Sequence, residues 1–246
     1  MAGEGSTFAF IPAKTCSVGL PYKLFRKIGP HSLIEWTILA AIKSCYIDVI
    51  FVSSNDPFIK EVVDRFAKRV KPIYFIRRPD ELCTATSKTE EAISHLLSTN
   101  DLAKKFDNMI MLQATSPARR NNLIDSCFNK LGSSGADSLL TVSSHTPFFW
   151  IAAQNQHSYL DKYNPYLPTY DLVARPMRQE LSEKDMYYHD NGNIYITKIK
   201  SFLDTKCRVS GHVEVYPTQR FESMQIDTQE DLDIMTSLYE YYGTFL

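Results

Sequence analysis

The sequence lacks the features that would send a chain into a membrane or an oxidising compartment. No apolar run approaches the roughly 20 residues that a bilayer-spanning helix needs. The segment Met1–Thr7 has neither the basic start nor the long apolar core of a secretory leader. The five cysteines, Cys16, Cys45, Cys83, Cys127 and Cys207, are odd in number and widely spaced, without a C-x-x-C pair or Cys/His ligand spacing. Free thiols in a cytoplasmic protein are the expectation. A net charge of −1 gives no general attraction for nucleic acid or a membrane surface. Three fingerprints are also missing. Without G-x-G-x-x-G or G-x-x-x-x-G-K-[ST], a dinucleotide oxidoreductase or P-loop NTPase is disfavoured, and without G-x-S-x-G so is a hydrolase with a nucleophile elbow. There is no internal repeat, low-complexity tract or interdomain linker.

What is present is an ordinary globular composition, 246 residues with 44% apolar and 22% charged, enough for one α/β domain with a full core. Strand-like and helix-like stretches alternate. Strands are predicted over about Thr7–Ala13, Ile47–Ser53, Pro72–Ile76, Met109–Leu112, Ser138–Val142, Ile194–Thr197 and Val213–Tyr216. Helices are predicted over Ser32–Ser44, Pro57–Arg69, Thr89–Leu97, Asn121–Leu131 and from about Thr228. Ser87-x-x-Glu90 reads as a capping box, and Asp227-Thr-Gln-Glu230 as a capped helix start. The repeated βα alternation implies a mostly parallel, doubly wound sheet covered on both faces, as the continuous β-branched run Ile47–Ser53 also expects. Residues 144–188, rich in proline and tyrosine and without period, interrupt this rhythm as a long excursion inside a single domain spanning 1–246.

In such sheets ligands bind beyond the carboxyl ends of the strands. Here those ends are Lys14–Lys23, Ser53–Asp56, Arg77–Thr89 and Gln113–Arg119, and they gather polar and basic residues suited to an anionic small molecule. The first of them reads Ile11-Pro-Ala-Lys-x-x-Ser-Val-Gly-Leu-Pro-Tyr-Lys23. It resembles the I-P-A-R-x-x-S-K-G-L-P-x-K-N motif of the CMP-sialic acid synthetases, the acylneuraminate cytidylyltransferases. Further likenesses follow in order: Val52-Ser-Ser-Asn-Asp56, Arg78-Pro-Asp-Glu-Leu82, Leu112-Gln-Ala-Thr-Ser-Pro-Ala-Arg119, Gly135-Ala-Asp-Ser138, Asn191-Gly-Asn-Ile-Tyr-Ile196 and Ile226-Asp-Thr-x-x-Asp-Leu232.

The resemblance implies a GT-A-like nucleotidyltransferase fold, usually dimeric, that joins CTP to a sialic-acid-like 2-keto sugar acid with the help of Mg²⁺ or another divalent cation. Position by position, it assigns Lys14, Ser17, Gly19, Lys23, Arg78 and Thr89 to the nucleotide, and Lys23 and Asp227 to catalysis. It assigns Gln113, Arg178, Tyr187, Tyr188 and Asn191 to the sugar, with Arg178 reaching a neighbouring subunit from the 144–188 dimerisation segment. Asp227 and Gln225 stand at the metal positions. Several positions depart from the pattern. Val18 replaces a loop lysine, Leu24 an asparagine expected to read cytosine, Ala85 an aspartate and Gln225 the first acidic residue of a D-x-D pair. Lys14 keeps the charge of an arginine without its fork. These departures leave open a catalytically silent or retuned homologue that serves as a binding or assembly subunit. A GT-A glycosyltransferase would need a D-x-D after a central strand, and Asp231-Leu-Asp233 falls instead in the last helix.

Overall fold

The computed structural model describes residues 5–14, 19–67, 71–99, 101–152 and 166–245. In chain order it contains β1 (Thr7–Pro12), a small ribbon of β2 (Lys27–Ile28) and β3 (His31–Ser32), and then α1 (Leu33–Lys43). There follow β4 (Val49–Ser54), α2 (Pro57–Phe66), β5 (Ile73–Arg77), α3 (Thr89–Thr99), α4 (Leu102–Lys105), β6 (Asn108–Leu112) and α5 (Leu123–Ser134). The remainder is β7 (Ser138–His145), β8 (Trp150–Ala152), β9 (Tyr166–Pro168), β10 (Tyr187–Lys198), α6 (Ile199–Thr205), β11 (Val213–Pro217) and α7 (Gln229–Tyr242).

The chain forms two compact units, one of residues 1–142 with 190–246, the other of residues 143–189. In the first, seven strands lie in the order β11-β7-β10-β6-β1-β4-β5. β1 pairs in parallel with β4 and β6, β4 with β5, and β7 with β11, while β10 runs antiparallel to β6. This is the mostly parallel, doubly wound α/β sheet that the alternation implied.

The central strands are covered on both faces, so their buried stretches are mostly apolar and divide their side chains between the faces by parity. Ala9 and Ile11 of β1, Ile110 and Leu112 of β6, and Ile194 and Ile196 of β10 pack on the face that also holds Ile38, Val63 and Phe128. Phe8, Phe10, Met109, Met111 and Tyr195 point to the other, against Ile93, Leu96 and Phe202. Each such fully buried side chain contributes about 1.5–3 kcal/mol relative to exposure. A third cluster, with Ile28, Trp36, Ile226, Met235 and Phe245, ties α7 to α1, and the Trp36 indole N–H donates to the Ile28 carbonyl at 2.9 Å.

Several boundaries differ from the sequence expectation. β10 starts seven residues before Ile194, because the polar Tyr187–Asp190 stretch extends the strand beyond its buried half. Helix α6 was not foreseen; it is one short segment with only Ile199 and Phe202 buried, too few for a periodic signal. The α3 start is not a Ser87/Glu90 box. The Ser87 hydroxyl instead bonds Thr84 N–H and the Glu81 carbonyl, and Glu91 accepts the Lys88 N–H at 2.9 Å. Likewise α7 is capped by Thr228, whose oxygen accepts from Asp231 N–H at 3.2 Å, rather than by Asp227.

In the second unit, β8 and β9 pair antiparallel, so part of the excursion is regular. Its strands are too short, and too exposed on both sides, to show an apolar alternation.

Candidate active site

At the carboxyl ends of β1, β5 and β6 lies a cavity of about 460 Å³ lined by Lys14, Gly19, Lys23, Leu24, Arg78, Ser87, Lys88, Thr89, Gln113, Thr115, Gln225, Asp227 and Thr228, among others. Four cations and one carboxylate face the same space.

Each side chain arrives there for a local reason. The Ala13 N–H bonds the Ser53 carbonyl at 2.9 Å, which keeps the chain extended past β1 and brings Lys14 to the rim. There the Lys14 Nζ donates to the Thr84 carbonyl at 3.2 Å. A Cβ on Gly19 would stand 2.6 Å from the Asp227 carbonyl oxygen, so the loop and the start of α7 can approach only at a glycine. Tyr22, in the left-handed region at φ 53°, turns the chain into a 3₁₀ turn over Lys23–Phe25. That turn sends Lys23 into the cavity, where its Nζ lies 2.7 Å from Asp227 Oδ1. The Lys23 side chain is only 13% exposed against 63% for Asp227, so the lysine is the partly desolvated member of the pair. Leu24, 4% exposed, belongs to the core and forms an apolar wall of the cavity.

Arg78 follows β5 and is almost fully buried. Its Nε and Nη2 donate to the Ser53 hydroxyl at 3.1 Å and carbonyl at 2.9 Å, which cross-braces two adjacent strand ends. Behind Gln113 sits Arg119, also buried, which donates to the carbonyls of Gln113 at 2.7 Å and Asn193 at 3.1 Å and to the Thr37 hydroxyl at 3.1 Å. Burial lowers its guanidinium to about 9, with the Glu222 carboxylate opposing that shift.

The Asn191-Gly-Asn193 turn fixes the opposite wall. Gly192 has φ +69°, and a Cβ there would lie 2.0 Å from Gln225 Nε2. Gln225 Nε2 donates to the Asn191 carbonyl at 2.9 Å, which commits the amide nitrogen to backbone. Asn191 itself is buried. Its side-chain Oδ1 accepts from the Thr141 hydroxyl and the Asn193 N–H, and its side-chain amide donates to the Thr218 and Ser223 hydroxyls, so its side chain holds the turn together. At the start of α7, burial raises the Asp231 carboxyl. Hydrogen bonds from the Asp227 and Thr228 N–H groups and the Thr228 hydroxyl outweigh this and hold it below the usual value.

The structure therefore brings together Lys14, Gly19, Lys23, Arg78, Thr89, Gln113, Gln225 and Asp227. It places Asn191 behind the wall rather than on it. Ser17, with Val18, lies outside the described residues. Arg178, Tyr187 and Tyr188 belong to the other unit, where all three are exposed and the Tyr188 hydroxyl donates to the Glu183 carbonyl at 3.3 Å. Sequence reasoning did not single out Lys88 and Thr115. The available signal for Lys88 was a basic residue immediately before a helix that follows a sheet strand.

A divalent cation would find one carboxylate here, Asp227, and no group of three or more His, Cys, Asp or Glu exists among the described residues. That donor set fits Mg²⁺, which leans on one or two carboxylates and on substrate phosphates, and does not fit a metal needing an all-protein cage.

Comparison with known proteins bears on the family and the fold. The chain is 24% identical over 235 residues to a pseudaminic acid cytidylyltransferase of Campylobacter jejuni, covering 94% of each. It is 24% identical over 244 residues to N-acylneuraminate cytidylyltransferase B of Danio rerio, covering 99% of this chain and 54% of that one. The fold superposes on a CMP:2-keto-3-deoxy-manno-octonic acid synthetase complexed with CTP with a TM-score of 0.64 at 13% identity, over 96% of this chain and 99% of that one. The profile of the family described as Cytidylyltransferase matches residues 8–243, and the chain belongs to that family.

Proposed function

We propose that this protein transfers the cytidylyl group of CTP to a nonulosonic-acid-type 2-keto sugar acid, releasing pyrophosphate. The observation that carries the reading is the convergence of Lys14, Lys23 and Arg78 on one cavity at the carboxyl ends of parallel strands, facing a single carboxylate. Both relatives described above are cytidylyltransferases named for such sugar acids.

In this reading a sugar hydroxyl oxygen attacks the α-phosphorus. The new P–O bond forms as the α–β bridging bond breaks, pyrophosphate leaves, and the hydroxyl proton is lost to solvent. Such transfers are accelerated chiefly by alignment and by neutralisation of spreading charge. Lys23 is the principal group for the second task, since its partial burial strengthens its field at the phosphates. Lys14 and Arg78 flank it. Leu24 supplies an apolar surface beside the base rather than a polar reader of it. Asp227, with Gln225 as the second candidate, would hold a Mg²⁺ ion, which supplies charge neutralisation on the phosphate oxygens. The active form in this reading is a cytoplasmic homodimer, with Arg178, Tyr187 and Tyr188 on the sugar side.

A second reading, a non-catalytic binding subunit, is favoured by the commitment of the Gln225 amide to backbone and of Leu24 to the core. One experiment separates the two. Pyrophosphate release is followed with purified protein, each of the four NTPs and a panel of 2-keto sugar acids. Release that needs both CTP and one of the sugars is expected, and binding of CTP without turnover on any sugar would leave the second reading standing.

A further inference from the structure

Lys88 is the cation of the cavity that the alignment of motifs does not account for. It sits immediately before Thr89, the first residue of α3. Its backbone is fixed there, because Glu91 accepts its N–H at 2.9 Å. That contact is half of a capping box. The other half needs a Ser, Thr, Asp or Asn side chain at position 88, which lysine cannot provide.

The choice is also electrostatically adverse, because the helix amide dipoles concentrate positive charge at this end of α3. A lysine in that place weakens the fold locally unless something anionic sits beside it. The carboxylates of the first turn are directed elsewhere: Glu91 to the Lys88 backbone and Glu90 to Arg208. Lys14 is held by the Thr84 carbonyl, Lys23 by Asp227 and Arg78 by Ser53. Among the described residues, no ion pair or side-chain hydrogen bond engages the Lys88 ammonium, although it shares their cavity.

We propose that Lys88 is a polyphosphate-binding residue of the nucleotide site, working with the positive end of α3 to hold the pyrophosphate portion of the bound triphosphate. The assignment rests on the nucleotide reading of the cavity. It extends that reading by giving the β/γ-phosphates a contact from the strand-to-helix loop after β5, in addition to the loop after β1. The residue thus trades helix-capping stability for charge at the point where the leaving group resides.

Calorimetric binding of inorganic pyrophosphate, CTP and CMP to the full chain, as wild type, Lys88→Ser and Lys88→Arg, tests this. Loss of one charge-assisted contact predicts roughly tenfold weaker binding of pyrophosphate and CTP by Lys88→Ser, with CMP changed less than about twofold. Lys88→Arg retains most of the polyphosphate affinity. The same Lys88→Ser change completes the capping box and raises the melting temperature by about a few degrees. A merely structural lysine would lower the melting temperature when removed. Unchanged pyrophosphate affinity in Lys88→Ser, or equal weakening of CMP and CTP, overturns the assignment. Wild-type protein that binds pyrophosphate but not CTP, with Lys88→Ser weakened, retires the cytidine reading and leaves Lys88 in place.

Discussion

In the free protein Lys23 and Asp227 hold each other, so in the proposed reading a phosphate competes with the carboxylate for the lysine. Removing either partner therefore has unequal effects. Lys23→Ala is expected to weaken CTP by roughly 10–100-fold, the value of one charge-assisted contact in a partly desolvated site, and to lower turnover as well. Asp227→Ala frees the lysine. Calorimetry without divalent metal should show CTP bound as tightly as by wild type or tighter, while pyrophosphate release falls by more than about tenfold. Equal loss of binding in both variants would contradict the division of roles. Gly19 is a separate case. A methyl there meets the Asp227 carbonyl oxygen at 2.6 Å, an atom of backbone that cannot rotate away. Gly19→Ala should therefore push the loop off α7 and raise KM for CTP several-fold with little change in melting temperature, since neither Gly19 nor Asp227 is buried.

At the scale of elements, the helix starts show how much the sequence could convey. Asp56-Pro57 announces α2, and the Asp56 carboxylate does accept the Phe58 N–H at 2.8 Å. Two other starts were misassigned because each run offers several acceptors within a few residues, and only the path of the incoming chain decides among them. In sequence Asp227 offers both a metal ligand and a helix cap, but in the structure its carboxylate is drawn to Lys23, 204 residues away in the chain, a contact no local spacing encodes. The strands of the main sheet were legible because burial on both faces leaves continuous apolar runs. The antiparallel placement of β10 was not, since a strand buried on both faces reads the same whichever way it runs. Within β10, the Tyr195 hydroxyl donates to Asp190 at 2.8 and 2.9 Å. Burial first, and that bond second, push the phenol up to about 12. A phenol raised above its unfolded value near 10 favours folding in its protonated form. Stability from this source is complete below about pH 10 and is lost between about pH 10 and 12, where the unfolded chain ionises first. Chemical denaturation across pH 9–12 should show this decline in wild type and a shallower one in Tyr195→Phe.

At the scale of the whole molecule, the near-zero net charge conceals an uneven distribution, because four of the 27 Lys and Arg residues face one cavity. Composition could not reveal that. It became legible only where motifs fixed the strand ends, and Lys88 escaped because nothing in the motifs marks it. The unit of residues 143–189 was the least legible part, since its short strand pair turns apolar side chains outward: Trp150 is 53%, Ile151 55% and Tyr166 60% exposed. Exposed aromatic and aliphatic groups of this kind are characteristic of protein-contact surfaces. For the proposed homodimer, this strand pair is one exposed apolar surface among the described residues of the unit. Sedimentation equilibrium at micromolar concentration should find wild type dimeric. The double variant Trp150→Ser, Ile151→Ser should shift toward monomer by at least about tenfold in dissociation constant, as expected when two apolar anchors are removed from an interface. Because Lys14, Lys23, Arg78 and Asp227 all lie in the other unit, that variant should keep wild-type CTP affinity while losing sugar-dependent pyrophosphate release. A variant that remains fully dimeric would exclude the strand pair as the contact, and a monomer with unchanged turnover would detach the sugar site from the dimer.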